Sequence, residues 1–240
     1  MSLNNSKTEL LVRDPTSPST LTFCDGTPVN TTTQVKYVGS LVSWNKPFET
    51  AFYHRAGLAE SSYKSLRLVW NSSLPHRTKV KIFQATFVPI LIYGLEAFPL
   101  TNKHLLRIDA TYFKFLRRVI GVKASYFSRV SNHTVHHQAG YPTRPSMRLA
   151  KAQLKYLHLV YLHKTTIQHS VVFCSAYKDR IVAQGRRRGM QFPYWLETTA
   201  KRFFPELWTK HLSNHSAHGI YLTIRDLLRK SEMAPKRAHS

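Results

Sequence analysis

The sequence predicts a mainly α-helical protein with a small antiparallel β element at its N-terminus, and two observations carry that reading. Up to about residue 45 the apolar residues come in short β-branched and aromatic runs broken by turn residues. From Pro47 onward they recur every three or four positions. With 240 residues, 42% of them apolar and 12% aromatic, the chain can bury a core in one or two domains and does not have the composition of a disordered basic tail.

In the β part, Leu21-Thr22-Phe23 and the run from Gln34 to Val42 have strand composition, and Asp25-Gly26 between them is a turn signal. Trp44-Asn45-Lys46 forms the junction to the helical part. A first helix is expected over residues 48–70, closed by Asn71-Ser72-Ser73 ahead of Pro75. A second is expected from His76 to Ala97, with Val80, Phe83, Phe87, Ile90 and Gly94 on its core face. Pro89 should kink it, because the ring displaces the carbonyl four residues earlier. Thr101 is placed to cap a third helix over residues 102–120, whose buried side is Leu105, Ile108, Tyr112, Phe115 and Val119. A further helix, from about Ser146 to Lys164, has core positions Met147, Ala150, Leu154, Leu157 and Tyr161. Together the helices are expected to form a bundle.

Charge points to the partner. The chain has 35 Lys and Arg against 12 Asp and Glu, a formal net charge of +23, and a protein this basic neutralises phosphates and releases their counterions. The positive residues are also ordered. Lys103, Arg107, Lys114 and Arg118 follow one another at spacings of four, seven and four, which stacks them on one stripe of the third helix. Like charges at that spacing repel, and an anionic partner would relieve the repulsion. Arg148, Lys151, Lys155 and His158 make a similar flank on the later helix, and Arg186-Arg187-Arg188 form a basic run. RNA or DNA is the expected partner.

The acids point away from catalysis. Two-metal phosphoryl chemistry needs carboxylates converging on one site. Here the closest pair, Glu9 and Asp14, are five residues apart, and no Asp-x-Asp, Asp-Asp or Glu-x-x-Glu cluster occurs. His133 and His137 stand at helical spacing, but Thr134-Val135-His136 between them lacks a zincin glutamate, so no metal site is expected. Phosphate-binding glycine loops and a Gly-x-Ser-x-Gly nucleophile elbow are also absent from the sequence. Cys24 and Cys174, 150 positions apart, suit reduced thiols, and Met1 to Arg13 has no apolar signal region. An intracellular protein, in nucleus or cytoplasm and not secreted, is expected. The apolar run Phe87 to Leu100 is broken by Pro89, Gly94, Glu96 and Pro99 and is shorter than the ~20 residues of a membrane helix.

Several segments resemble one family in a shared order. Leu3-Asn4-Asn5-Ser6-Lys7-Thr8-Glu9 is similar to the L-N-x-x-K-T-E segment that follows the catalytic aspartates in reverse transcriptases of non-LTR (LINE-type) retrotransposons. Tyr37-Val38-Gly39-Ser40 resembles the Y-L-G-S strand that begins their primer grip. The stretch Phe87 to Phe98 resembles V-L-P-x-L-L-Y-G-x-E-x-W of the thumb, and Arg107-Ile108-Asp109 with Phe115 to Gly121 resembles the thumb helix L-R-R-I-L-G. Further on, Arg129-Val130-Ser131-Asn132 with Gln138 to Pro142 is similar to the R-x-S-N and A-G-x-x-P passage, and Leu149 to His163 takes the place of an R-L-R-W-L-G-H helix. Gly185 to Gly189 ahead of Tyr194-Trp195-Leu196 looks like the basic hinge before a W-x-D helix.

The resemblance implies a division into the end of a palm (residues 1–45), a thumb-like helical domain (46–125) and a basic helical region (126–240). It also implies RNA-directed DNA polymerase ancestry, template-primer as the bound species, and a separate palm-bearing polymerase chain as a possible partner. The family's metal-binding aspartates precede the Lys-Thr-Glu segment, so Mg²⁺ is expected only for a full-length parent enzyme and none for this chain, which alone is expected to be inactive. Lys7 matches a family lysine that assists proton transfer to pyrophosphate, a reaction that needs the missing metals. Phe98 in place of a tryptophan, and Glu197 in place of an aspartate after Trp195-Leu196, depart from the pattern.

Overall fold

The computed structural model describes residues 7–13, 21–98, 100–162 and Asp226. The described chain is mostly helical and begins with two small two-stranded sheets. It divides into two compact units. The first is Met1–Leu95 with Leu116–Lys123, and the second is Glu96–Phe115 with the residues from Ala124 onward. The strands and the first three helices share the first unit.

In the first unit, β1 (Glu9–Leu11) pairs with β2 (Asn30–Thr32) in parallel, and β3 (Gln34–Tyr37) pairs with β4 (Ser40–Ser43) antiparallel. The antiparallel element is therefore narrower than its sequence run. Gln34 to Val42, expected as one extended segment, folds back on itself at Val38-Gly39. Both turn residues have positive φ, 45° and 75°, which is the backbone that matches the twist of a two-residue hairpin. Leu21 to Phe23 contributes only a bridge, Thr22 to Pro28, around the Asp25-Gly26 turn. There Asp25 Oδ1 accepts from the Thr27 amide (3.0 Å) and hydroxyl (2.6 Å).

Helix α1 (Pro47–Ser65) starts with Pro47 in its first turn, where a missing N–H costs nothing. Its buried residues Phe48, Ala51, Phe52, Arg55 and Ala59 make one face. The expected helix over 48–70 is broken at Leu66 into α1 and the short α2 (Arg67–Asn71). The break lets Trp70 stack on Tyr63, centroids 5.2 Å apart, while its indole N–H donates to the Tyr63 carbonyl at 2.7 Å. Lys79, itself buried, donates to the carbonyls of Trp70 (2.9 Å) and Ser72 (2.8 Å), placing a cation at the C-terminal end of α2. Helix α3 (His76–Ile92) packs Val80, Phe83 and Phe87 inward, with Ile90 half-buried. It passes through Pro89 and stops one turn later. Gly94, expected on the helical core face, instead turns the chain with φ 74° into a 3₁₀ turn, Leu95–Ala97, so the helix ends short of Ala97.

In the second unit, α4 (Asn102–Val119) supplies Asn102–Phe115, its last turn belonging to the first unit. Leu105, Ile108, Tyr112, Phe115 and Val119 are all buried, as their spacing predicts. Short helices α5 (Ser125–Ser128) and α6 (Asn132–Gln138) follow, then α7 (Pro145–Leu162). Ser131 caps α6 by accepting from the Thr134 amide at 3.1 Å. The buried face of α7 is Ser146, Leu149, Ala150, Gln153 and Leu154. Met147, expected in the core, is 39% exposed, because the inward phase of the helix is set one position earlier by Ser146. The side chains of Leu157 and Tyr161 lie outside the described residues.

Candidate nucleic-acid interface

Helix α4 is fixed at both ends of its first turn. The Thr101 hydroxyl accepts from the His104 amide (3.2 Å), and the Thr101 amide donates to His104 Nδ1 (3.3 Å). This is a reciprocal capping box in which histidine takes the acceptor role usually filled by glutamate. It requires Nδ1 to be unprotonated.

With the apolar face inward, a helical step of 100° per residue places Lys103, Arg107, Lys114 and Arg118 on the opposite side. Lys103, Lys114 and Arg118 are exposed, Arg107 is half-buried, and the remaining cation of α4, Arg117, is buried. The one carboxylate of α4, Asp109, is not among them. It is 8% exposed and turned inward, where Oδ1 accepts from the Ser146 amide (3.1 Å) and Oδ2 from the Ser146 hydroxyl (2.7 Å). Ser146 is the second residue of α7, so Asp109 serves as a tertiary cap at the positive end of that helix. Pro145 before it has no N–H to satisfy. The exposed face of α4 is left cationic, without an acid of its own.

A second basic row lies on α7. Lys155 is exposed and Arg148 and Lys151 are half-buried, on the side of α7 opposite its packing face. Asp109 and Ser146 join the inner faces of the two helices at the start of α7. The side chain of His158 and the run Arg186, Arg187 and Arg188 lie outside the described residues.

Tyr37-Val38-Gly39-Ser40, expected as a strand, forms the tip of the β3–β4 hairpin. Tyr37 is 71% and Val38 70% exposed, and Val38 is β-branched at positive φ, a strained backbone. Three residues from other elements hold the tip. Arg55 donates from Nη2 to the Gly39 carbonyl at 2.5 Å, Tyr93 donates its phenol hydrogen to the Val38 carbonyl at 3.2 Å, and a Cβ at Gly94 would collide with the Ser40 hydroxyl.

Among the described residues, no group of three or more His, Cys, Asp or Glu could hold a metal ion. His133, His136 and His137 surround the Tyr141 ring edge-on, at centroid distances of 6.3, 5.3 and 5.3 Å. Lys7 is exposed. No helix of the described residues is long and apolar enough to cross a membrane. Comparisons with protein-family models, with curated proteins and with solved structures give no match.

The sequence reading missed three features: the Arg55 clamp, the Asp109 cap and an exposed aromatic pair at Tyr126 and Phe127. For the first two a signal existed. Arg55 and Asp109 each sit at the apolar phase of their helix, and a charge there marks a tertiary tie because burial requires a partner.

Proposed function

We propose that this protein binds nucleic acid through the solvent face of α4, with Lys103, Arg107, Lys114 and Arg118 contacting phosphates. It carries no polymerase chemistry of its own in this reading. Its ancestry is that of the thumb-bearing part of a non-LTR retrotransposon reverse transcriptase, with template-primer as the bound species. The observation that supports this most is the charge on the solvent side of α4: Lys103, Lys114 and Arg118 are exposed, Arg107 is half-buried, a fifth cation, Arg117, is buried, and the single carboxylate faces inward, occupied as a helix cap. A face of that kind attracts polyanions and, through phosphates alone, reads no sequence. The hairpin tip, with the resemblance of Tyr37-Val38-Gly39-Ser40 to a primer grip, is consistent with a role beside the nucleic acid.

The test is anisotropy of labelled RNA and DNA, single-stranded and duplex, titrated with the purified chain over a salt series. A log-log slope of roughly −3 to −6 is expected, corresponding to about four to eight single-strand phosphates. Binding that does not weaken with salt overturns the reading. The alternative is a polymerase part completed by a separate palm chain. Primer extension in Mg²⁺ by the chain alone is expected to be nil, and extension that appears without any added chain would refute the non-catalytic assignment.

A further inference from the structure

The short helix α5 is unusual in what it leaves in water. Tyr126 is 87% and Phe127 76% exposed, adjacent in sequence, with ring centroids 5.3 Å apart in an edge-to-face arrangement. Two large aromatic rings at this exposure cost solvation free energy that burial elsewhere would recover. Their backbone is not a loose loop. The amides of Phe127 and Ser128 donate to the Ala124 carbonyl (both 3.0 Å), and that of Arg129 donates to the Ser125 carbonyl (2.9 Å). Arg129 ends the turn with φ 51°, a left-handed conformation that a residue with a Cβ adopts only at a cost. Its side chain is exposed, two residues along the chain from Phe127. Two rings left in water on an ordered turn, with an exposed guanidinium two residues on, are a feature a ligand would explain.

We propose that Tyr126 and Phe127 are a stacking step for the unpaired bases of a single-stranded nucleic acid, with Arg129 as the adjoining phosphate or stacking contact. The inference rests on the nucleic-acid reading above and extends it from backbone charge to strand type. Base faces stack on aromatic rings whatever the sequence, whereas bases paired in a duplex have their faces already covered. The choice of nucleic acid over a protein partner follows from charge complementarity: Phe127 stands two residues from an exposed arginine in a chain of net charge +23.

The experiment compares the full chain with Y126A/F127A and Y126W/F127W, using one fluorescein-labelled single strand and a duplex of the same length over a salt series. The alanine pair is expected to lower single-strand affinity by roughly tenfold or more. Duplex affinity and the salt slope should stay unchanged, since no charge is removed. The tryptophan pair should retain single-strand binding, and unchanged circular dichroism establishes that the variants fold. If the wild-type chain binds with a salt slope but the alanine pair binds both ligands equally well, the stacking step is wrong and the phosphate reading stands. If the wild type shows no salt-dependent binding at all, both fall. A wild type that sediments as an oligomer, dispersed by the alanine pair without change in single-strand affinity, assigns the rings to a protein contact and overturns the proposal.

Discussion

The Arg55 guanidinium lies 4.2 Å from the centroid of the Tyr93 ring while donating to the Gly39 carbonyl. One side chain of α1 thus ties the end of α3 to the tip of the β3–β4 hairpin. A lone two-stranded hairpin is marginal in water, so this tie, together with the packing of β4 on α1, supports the hairpin. It also explains how Val38 keeps a strained φ of 45°: the carbonyls on both sides of the turn are held from outside.

Arg55→Met keeps the aliphatic stem but removes the charge-assisted hydrogen bond and the cation–π contact. A loss of about 1.5–3 kcal/mol is expected, the larger part from the hydrogen bond. Amide hydrogen exchange over residues 34–43 should accelerate in the variant while the helix around Ile108 stays protected. Equal acceleration in both regions would show that Arg55 stabilises the chain globally and does not clamp the hairpin.

Helix positions and buried faces were legible in the sequence where apolar period was clean. The inward face of α4 from Leu105 to Val119 was read correctly because its apolar phase is regular, although Asp109 and Arg117 are buried along with it. The errors have local causes. Gly94 was placed on a helical face because it falls in phase with Phe87 and Ile90, but the close approach of Ser40 demands a left-handed glycine there. Gln34 to Val42 looked continuous because Val38 is a poor residue for a hairpin turn and hides it. Met147 was misassigned because the phase of α7 is fixed by the Asp109–Ser146 contact between residues 37 apart in sequence, which no local pattern encodes. The stripe on α4 was legible because it depends on spacing alone. The exposure of Tyr126 and Phe127 was not, since a four-residue helix has no periodicity to read.

Asp109→Ala should destabilise the protein by about 2–3 kcal/mol, since it removes a charged acceptor from a buried amide and a buried hydroxyl. Asp109→Asn keeps an acceptor oxygen and should cost less, about 0.5–1 kcal/mol, the share owed to the carboxylate's charge at the N-terminus of α7. Urea midpoints of the two variants measure the split. Equal losses would mean that the negative charge carries the whole effect and a neutral acceptor oxygen none of it.

His136 gives a pH dependence with a definite sign. Burial pushes its pKa below the ordinary 6.5, against the opposing hydrogen bond to the Pro142 carbonyl, and Arg144 and His133 lower it further. The short contact from Nε2 to that carbonyl, 2.6 Å, assigns the ring hydrogen to Nε2. Below pH 6.5 the unfolded chain takes up this proton before the folded one does, so stability is present above that pH and falls as pH drops through the folded pKa. His136→Gln retains an N–H for Pro142 and cannot titrate. The variant should therefore show a shallower loss of stability between pH 7 and 5 than the wild type in thermal or urea unfolding. An identical slope in both would exclude His136 as a contributor.

The α4 stripe is tested by separating ordered charge from total charge. Arg107, Lys114 and Arg118 changed together to Gln remove three cations from one helix face. The same substitution at Lys36, Arg77 and Lys81, which are all exposed and lie on β3 and α3, removes the same charge elsewhere. If α4 contacts phosphates, the first triple should flatten the log-log salt slope by about two units and weaken RNA and DNA binding to a similar extent for every sequence, because each lost contact releases fewer counterions and none reads a base. The second triple should change the slope by less than one unit, through the screened long-range field alone. Both triples leave the buried face of α4, from Leu105 to Phe115, untouched, so a fold defect is not expected in either. Equal effects from the two would mean that the chain attracts nucleic acid as a diffuse positive charge, with no special part for the stripe.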